Sequence, residues 1–142
     1  MNLDSFKDPD GFVFDYKDNL YRCIYYKSVD YYSKLFKKNF FTKLINENKI
    51  INFTETENVF YDKIDGINKQ DKILNLKKIN FFSYPHEWPF EQLKDAAIFH
   101  LDLEILLLKE NYCLKDASPR NIIFYKNRPI FIDHLSVKEY KD

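Results

Sequence analysis

Apolar residues recur along the chain at two spacings, which predict strands in some segments and helices in others. Aromatic and β-branched residues fill positions 12–16 and 20–24, and Lys17-Asp18-Asn19 between them is typical of a turn. We expect a β-hairpin there. Positions 122–125 and 129–132 are two further apolar runs, and Lys126-Asn127-Arg128 between them predicts a second hairpin.

Two segments have apolar residues near the 3.6-residue period of an α-helix. The first covers residues 28–49, with Ser28 as the N-cap and a break near Asn39. The second begins at Pro89, a residue suited to the first helical position, and ends near residue 111. Its apolar positions cover most of the circumference, so we expect this long helix to be buried on several sides.

Between the helices, positions 50–53, 59–64 and 73–84 are strand-like, and residues 65–68 (Asp-Gly-Ile-Asn) predict a turn. The expected fold class is therefore α+β. We expect a single module over residues 1–142, in which a strand-rich lobe (1–84) carries the inserted helix. Residues 85–142 then hold the long helix and the second hairpin.

Composition narrows the function classes. The 142 residues carry 22 basic and 22 acidic side chains, so nucleic acid and membranes are not expected as partners. Gly11 and Gly66 are too few for a P-loop, a dinucleotide-binding loop or a typical methyltransferase loop, and we expect no S-adenosylmethionine site within the chain. Two lone cysteines and the lack of a signal sequence predict a cytoplasmic protein.

Three polar residues surround the second predicted hairpin. Asp116 lies in the loop after the long helix, Asn121 follows five positions later at a strand start, and Asp133 ends the returning strand. Carboxylate and amide oxygens are the ligands that Mg²⁺ prefers. The same residue types are also common in turns and caps, so a structural role is the alternative.

This spacing resembles the catalytic loop of the protein-kinase-like superfamily, including its aminoglycoside-phosphotransferase-like members. The resemblance implies a kinase-like N-lobe sheet, an interlobe hinge, a long buried helix and a catalytic-loop hairpin, with Mg²⁺ and ATP as cofactors. It makes Asp116 the catalytic residue, and Asn121 and Asp133 the metal ligands. It also implies four cofactor-binding residues: Ser83, Tyr84 and His86 at the hinge, and Lys63 at the phosphates.

The chain departs from the kinase-like pattern at several points. Leu114-Lys115 precedes Asp116, His134-Leu135 follows Asp133, and the first hairpin has no glycine-rich phosphate loop. The sequence stops nine residues after Asp133, where kinase-like folds continue, so we expect a truncated module without most of the helical lobe. A chance combination of a helix and a hairpin is the alternative to kinase-like ancestry.

Five phrases carry a second resemblance: DPDGFVF (8–14), FSYPHEW (82–88), QLKDAA (92–97), LKDAS (114–118) and FID (131–133). They are similar to the N-terminal region of long bacterial proteins labelled class I SAM-dependent methyltransferases. In those proteins the methyltransferase domain lies further toward the C-terminus, so the resemblance implies that the label describes a domain absent from this chain.

Two functions from different classes remain open. The chain is expected either to bind Mg-nucleotide as an N-terminal module of such a protein, with weak or no phosphotransfer, or to be a non-catalytic pseudoenzyme. In the second case an exposed apolar surface would dock a partner chain or domain. A protein partner or a C-terminal domain is expected in both.

Overall fold

The computed structural model describes residues 8–76, Ser83 and residues 85–141. Within this part of the chain, three α-helices and a four-stranded antiparallel sheet form a mixed α+β fold, which confirms the predicted class. The described residues divide into two compact units. Residues 8–42 and 52–76 form the first, and residues 43–51, 83 and 85–141 form the second.

The first unit is built on the sheet, whose strand order is β1-β2-β4-β3 and whose neighbours are all antiparallel. Its strands are β1 (Gly11–Tyr16), β2 (Asn19–Ile24), β3 (Phe53–Thr56) and β4 (Lys72–Leu76). Cys23 and Ile24 of β2 and Ile73 and Leu74 of β4 are completely buried. The core of this unit therefore follows the two central strands.

The first predicted hairpin is confirmed by the pairing of β1 with β2. Its two turn residues, Lys17 and Asp18, have φ values of 46° and 62°. Two successive left-handed residues are the signature of a type I′ turn, whose twist matches that of the flanking strands. Asp adopts this conformation more readily than most residues because its short polar side chain bonds locally.

The helix predicted over residues 28–49 is two helices, α1 (Tyr26–Phe36) and α2 (Asn39–Asn46), so the predicted break is confirmed. The predicted N-cap is wrong, because Tyr25 occupies that position. Ser28 is instead buried in the first turn, where its hydroxyl donates to Asp10 Oδ1 at 2.6 Å. Its side chain thus ties the helix to the segment before β1.

The strand predicted over residues 59–64 is wrong, and residues 61–66 form turns and a bend. Asn58 explains this difference. Its amide nitrogen donates to the carbonyls of Asn68 and Asp71 at 2.8 and 3.0 Å, and its Oδ1 accepts from the Phe60 amide at 3.2 Å. These bonds close the loop locally, so its backbone needs no strand partner there.

Phe60 anchors this loop in the aromatic cluster of the first unit. Its ring centroid lies 4.9 Å from that of Tyr21 and 5.2 Å from those of Phe14 and Tyr16. The contacts with Phe14 and Tyr16 are edge-to-face, the arrangement that aromatic quadrupoles favour. The apolar pattern that predicts a strand here therefore reflects the burial of the Phe60 ring in this cluster.

Asp71 is the buried polar centre of the first unit. Its carboxylate accepts from the Tyr26 amide at 2.8 Å and from the Asn68 amide at 2.7 Å, and Cys23 Sγ lies 3.8 Å away. One side chain thus joins α1, β2 and the loop before β4. Burial, together with the negative charge of Asp71, raises the pKa of Cys23 to about 12, so the thiol stays protonated.

The second unit contains one long helix and two small antiparallel sheets. Its elements are α3 (Phe90–Lys109), β5 (Tyr112–Leu114) paired with β8 (Val137–Glu139), and β6 (Ile122–Tyr125) paired with β7 (Arg128–Phe131). The second predicted hairpin, β6–β7, is confirmed. The sequence patterns do not predict β5 and β8, because three residues are too few to show a period.

A short segment before β3 belongs to the second unit and bonds to β7. The Phe131 amide donates to the Lys49 carbonyl and the Ile51 amide donates to the Phe131 carbonyl, both at 2.9 Å. His134 is fully buried, and its Nε2 lies 2.6 Å from the Ile51 carbonyl oxygen. Residues 49–51 therefore lie along β7 as a strap. None of the described helices combines the length and the apolar character that crossing a membrane requires.

Replacing Asp71 with Ala removes the acceptor of two backbone amides in the first unit. Because a hydrogen bond to a charged acceptor contributes about 1.5–3 kcal/mol and these two bonds are partly buried, we expect the free energy of unfolding to fall by about 2–4 kcal/mol in urea denaturation. Asp65→Ala, at an exposed turn position, is the matched control and should change it by less than about 0.5 kcal/mol. Equal effects of the two substitutions would contradict this role for Asp71.

Candidate functional site

In the part of the chain that the structure describes, the long helix α3 is buried along one side. It packs against β5 and β7, and Ala96, Leu103 and Leu107 on this side are at most 3% exposed. Its ends lie within two residues of the prediction, but the expectation of burial on several sides is wrong. The strands of the second unit cover only one face of α3, and they leave several apolar residues of the helix at the surface.

The opposite side of α3 carries an apolar stripe, which we define as Ile98, Leu101, Ile105 and Leu108. These side chains are 41–66% exposed. At 100° per residue, the four positions fall within an arc of about 80°. Their 3-4-3 spacing is that of the a and d positions of a heptad, the seam along which one helix packs against another. Phe90, 75% exposed, lies in the same arc beyond Lys94.

Charged residues line the stripe. Asp95 and Asp102 are exposed along one edge, and Lys109 lies on the same edge at the C-terminal end of α3. Glu104 is on the other edge, where its Oε2 accepts from the Leu114 amide at 2.9 Å. A groove of about 360 Å³ runs beside the stripe, and its lining includes the charged residues Lys49, Asp102 and Lys109.

The groove has an apolar wall formed by side chains of α3, including Phe99, Ile105 and Leu106. Ile105 therefore belongs both to the stripe and to the groove. An apolar surface with a charged rim is the usual composition of a protein-binding site.

The loop after β5 holds the predicted catalytic residue, Asp116, in an exposed position. Its amide donates to Ser136 Oγ at 3.0 Å, and the Ser136 hydroxyl donates back to the Asp116 carbonyl at 3.2 Å. Asp116 Oδ1 accepts from the Ser118 amide at 2.8 Å. The buried Ser136 thus fixes the backbone of Asp116, and the aspartate side chain closes a local turn.

Hydrogen bonds to backbone carbonyls connect this loop with the segments that carry the two predicted metal ligands, Asn121 and Asp133. Asn121 Nδ2 donates to the Asp116 carbonyl at 3.3 Å, and the Ile132 amide donates to the Asn121 carbonyl at 2.9 Å. Asp133 follows directly, and its Oδ1 accepts from the Leu135 amide at 3.2 Å. The structure therefore brings the three predicted residues into one loop cluster, although their chemical role stays a prediction.

The predicted cofactor-binding residues have separate surroundings. Ser83 Oγ accepts from the indole nitrogen of the buried Trp88 at 2.8 Å, and His86 is exposed in a 3₁₀ turn (Pro85–Glu87). Tyr84 lies outside the described residues. Lys63 belongs to the first unit, where it is exposed on a turn and not on the strand that the sequence predicts. Their binding roles stay predictions.

His100 is a half-buried residue of α3. Its ring packs edge-on against Phe131, with centroids 6.0 Å apart. Burial lowers the pKa of His100, and the negative charges of Asp116 and Glu104 act in the opposite direction. Among the described residues, no group of three or more His, Cys, Asp and Glu side chains is placed to hold a metal ion.

Comparison with known proteins identifies one informative relative. Nodulation protein NoeA of Rhizobium meliloti (strain 1021) is 34% identical to this chain over 138 residues. The match covers 97% of the chain but 28% of NoeA, so the chain spans little more than a quarter of the length of this relative. No family model matches the chain, and no solved structure matches it.

This comparison corrects both resemblances drawn from the sequence phrases. The relative is named for nodulation, and its name says nothing of methyl transfer or of a kinase-like pattern. The kinase-like and methyltransferase resemblances are therefore wrong as statements of family.

Acidification should destabilise the fold through His100. Burial lowers its pKa in the folded state, whereas the unfolded state keeps a value near 6.5, so below about pH 6.5 the unfolded state binds more protons. The free energy of unfolding should fall as the pH drops through this range and level off below the pKa of the folded state. Urea denaturation between about pH 7.5 and 5 measures this dependence.

His100→Asn is the matched variant for this measurement, because it removes the titrating ring and keeps a polar side chain. Its stability should depend less steeply on pH than that of the wild type. His86→Asn, at an exposed position, should leave the slope unchanged. An identical slope in wild type and His100→Asn would refute the assignment.

Proposed function

We propose that the chain is a non-catalytic protein-interaction domain that docks a partner helix on the apolar stripe of α3. The observation that carries this proposal is the exposure of four large aliphatic side chains at heptad spacing on one helix face. Monomeric proteins rarely keep a contiguous apolar patch in water without a binding role. Docking an amphipathic helix against such a face is an established mode of recognition.

The stripe is large enough for moderate affinity. Fully burying a Leu or Ile side chain contributes roughly 1.5–3 kcal/mol, and the four residues are already about half buried. The remaining gain of a few kcal/mol, together with the apolar residues of the partner, is offset by the entropy lost on association. We therefore expect a micromolar dissociation constant, about 10 µM for an idealised partner helix.

A designed peptide of about three heptads, with Leu at a and d and Gln at the flanking positions, tests the proposal. Fluorescence anisotropy should show binding to the wild-type chain. Leu101→Glu combined with Ile105→Glu should weaken it at least about tenfold, because the charges would be buried on docking. Leu93→Glu is the matched control, since Leu93 is exposed on α3 but lies about 60° outside the arc.

Circular dichroism should show that each variant stays folded, as expected for Glu at exposed helix positions. Absence of peptide binding by the folded wild-type chain would contradict the proposal. So would equal binding by the double variant.

A second candidate function is the binding of Mg²⁺ together with the phosphates of ATP at the loop cluster. The observation that favours it is the pair of hydrogen bonds that joins Asp116, Asn121 and the residue before Asp133. These side chains offer hard oxygen atoms, and Mg²⁺ commonly takes one or two carboxylates with phosphate and water as its other ligands. Phosphate transfer to a hydroxyl, with Asp116 accepting the proton, is the further step of this candidate.

Calorimetric titration with MgATP tests the second candidate. Binding at about millimolar concentration or tighter is expected for the wild type and should be lost in Asp133→Asn, which removes the charge and keeps the size. Asp65→Asn, on an exposed turn of the first unit, is the charge-matched control. S-adenosylmethionine should not bind either protein. Undetectable MgATP binding by folded wild-type protein would eliminate this candidate.

A further inference from the structure

Two Asp-Gly pairs occur in the chain, Asp10-Gly11 and Asp65-Gly66. Such a pair can rearrange without an enzyme, because the amide nitrogen of the glycine is able to attack the side-chain carboxyl group of the preceding aspartate. Glycine favours this step, since it has no Cβ atom to obstruct the approach and its backbone rotates more freely than that of other residues. The reacting groups are identical in the two pairs, so the structure around each pair decides whether it reacts.

The rearrangement has two steps, and the first is favoured because both reacting groups belong to one chain. The glycine nitrogen forms a bond to Cγ of the aspartate and gives up its proton, while the carboxyl group loses its hydroxyl, so that water leaves and an imide ring closes. Water then opens the ring. Opening at Cγ restores aspartate, whereas opening at the other carbonyl gives isoaspartate, in which the main chain runs through Cβ and Cγ. The mass of the chain is unchanged, and no oxidant or reductant takes part.

The fold holds the first pair, Asp10-Gly11, in place. Both carboxylate oxygens of Asp10 accept hydrogen bonds, Oδ1 from the Ser28 hydroxyl at 2.6 Å and Oδ2 from the Tyr32 hydroxyl at 3.1 Å. The Asp10 amide donates to Asp8 Oδ1 at 2.9 Å, and Gly11 is buried at the start of β1. To reach the Gly11 nitrogen, the carboxylate would have to give up its bonds to two hydroxyl groups. Bonds to a charged acceptor are stronger than those between neutral groups, so this rotation is rare.

The turn at the second pair, Asp65-Gly66, leaves the same groups free. Both residues are exposed. Within the described part of the chain, neither the Asp65 carboxylate nor the Gly66 amide takes part in a hydrogen bond. Gly66 has a φ of 86°, and apart from its two chain neighbours no residue comes within 4 Å of the position that a Cβ atom would occupy. The Asp65 side chain can therefore rotate toward the Gly66 nitrogen without breaking a hydrogen bond.

We propose that Asp65-Gly66 is a site of spontaneous isomerisation to isoaspartate and that the fold protects Asp10-Gly11 from the same reaction. The product lengthens the main chain by one methylene group between Ile64 and Ile67, both of which pack in the aromatic cluster with Phe60. The two isoleucines then no longer have the spacing that this packing requires. The isomerised chain is therefore less stable than the unmodified one.

Incubation of the folded chain in mildly acidic buffer at body temperature, followed by peptide mapping with electron-transfer fragmentation, measures both pairs in one sample. Acid favours the loss of water because it protonates the carboxyl group. Isoaspartate should accumulate at residue 65 at least about tenfold faster than at residue 10, the factor that corresponds to breaking a single hydrogen bond to a charged acceptor. In about 8 M urea, where both pairs are equally accessible, the two rates should agree within about threefold.

Asp65→Glu is the matched variant, because it keeps the charge but would have to close a larger ring, which forms more slowly. It should lack the modified species, and its midpoint of urea denaturation should fall less on incubation than that of the wild type. Equal rates at the two pairs in the folded chain would overturn the proposal, and so would isoaspartate at residue 65 that forms in urea alone. An equal loss of stability in wild type and Asp65→Glu would refute the destabilising effect of the product.

Discussion

A twenty-residue helix with apolar residues around most of its circumference needs cover on several sides, and the second unit supplies it on one. Ala96, Leu103 and Leu107 are buried on the covered side, and this arrangement determines which residues of the helix meet solvent. Because β5 and β7 occupy the buried side, the opposite side meets solvent with Leu and Ile residues. The helix is thus both the structural centre of the unit and its most exposed apolar surface.

The loop cluster depends on backbone bonding more than on its acidic side chains. The Ser136 hydroxyl forms hydrogen bonds with both the amide and the carbonyl of Asp116, and the Asn121 side chain donates to the same carbonyl. One oxygen of Asp116 and one of Asp133 already accept backbone amides. A carboxylate oxygen that accepts one amide keeps a second lone pair, so the turn and cap roles considered from the sequence are compatible with binding.

Local chemistry explains which elements the sequence predicts. The two hairpins are recoverable because their two-residue turns carry Asp or Asn at a left-handed position. The false strand at 59–64 has the right apolar composition, but the bonds of Asn58 to residues ten and thirteen positions away are invisible to a periodic pattern. Ser28 fails as an N-cap for a similar reason, since its acceptor, Asp10, is 18 residues distant.

For the candidate site too, the sequence predicts local arrangement but not contacts between distant residues. Spacing along the chain predicts that Asp116, Asn121 and Asp133 surround one hairpin, and the structure bonds Asn121 both to the Asp116 carbonyl and to Ile132, the neighbour of Asp133. Which side of α3 lies open could not be predicted, because a helix that is apolar nearly all round gives no sign of which residues its neighbours cover.

The two proposed surfaces share α3 but use different parts of its circumference. Glu104, which bonds to the β5 strand, and His100, which packs against Phe131, lie outside the arc that contains Leu101 and Ile105. Changing the stripe therefore leaves the contacts between the helix and the loop in place. Because of this separation, loss of peptide binding can be attributed to the stripe and loss of nucleotide binding to the loop.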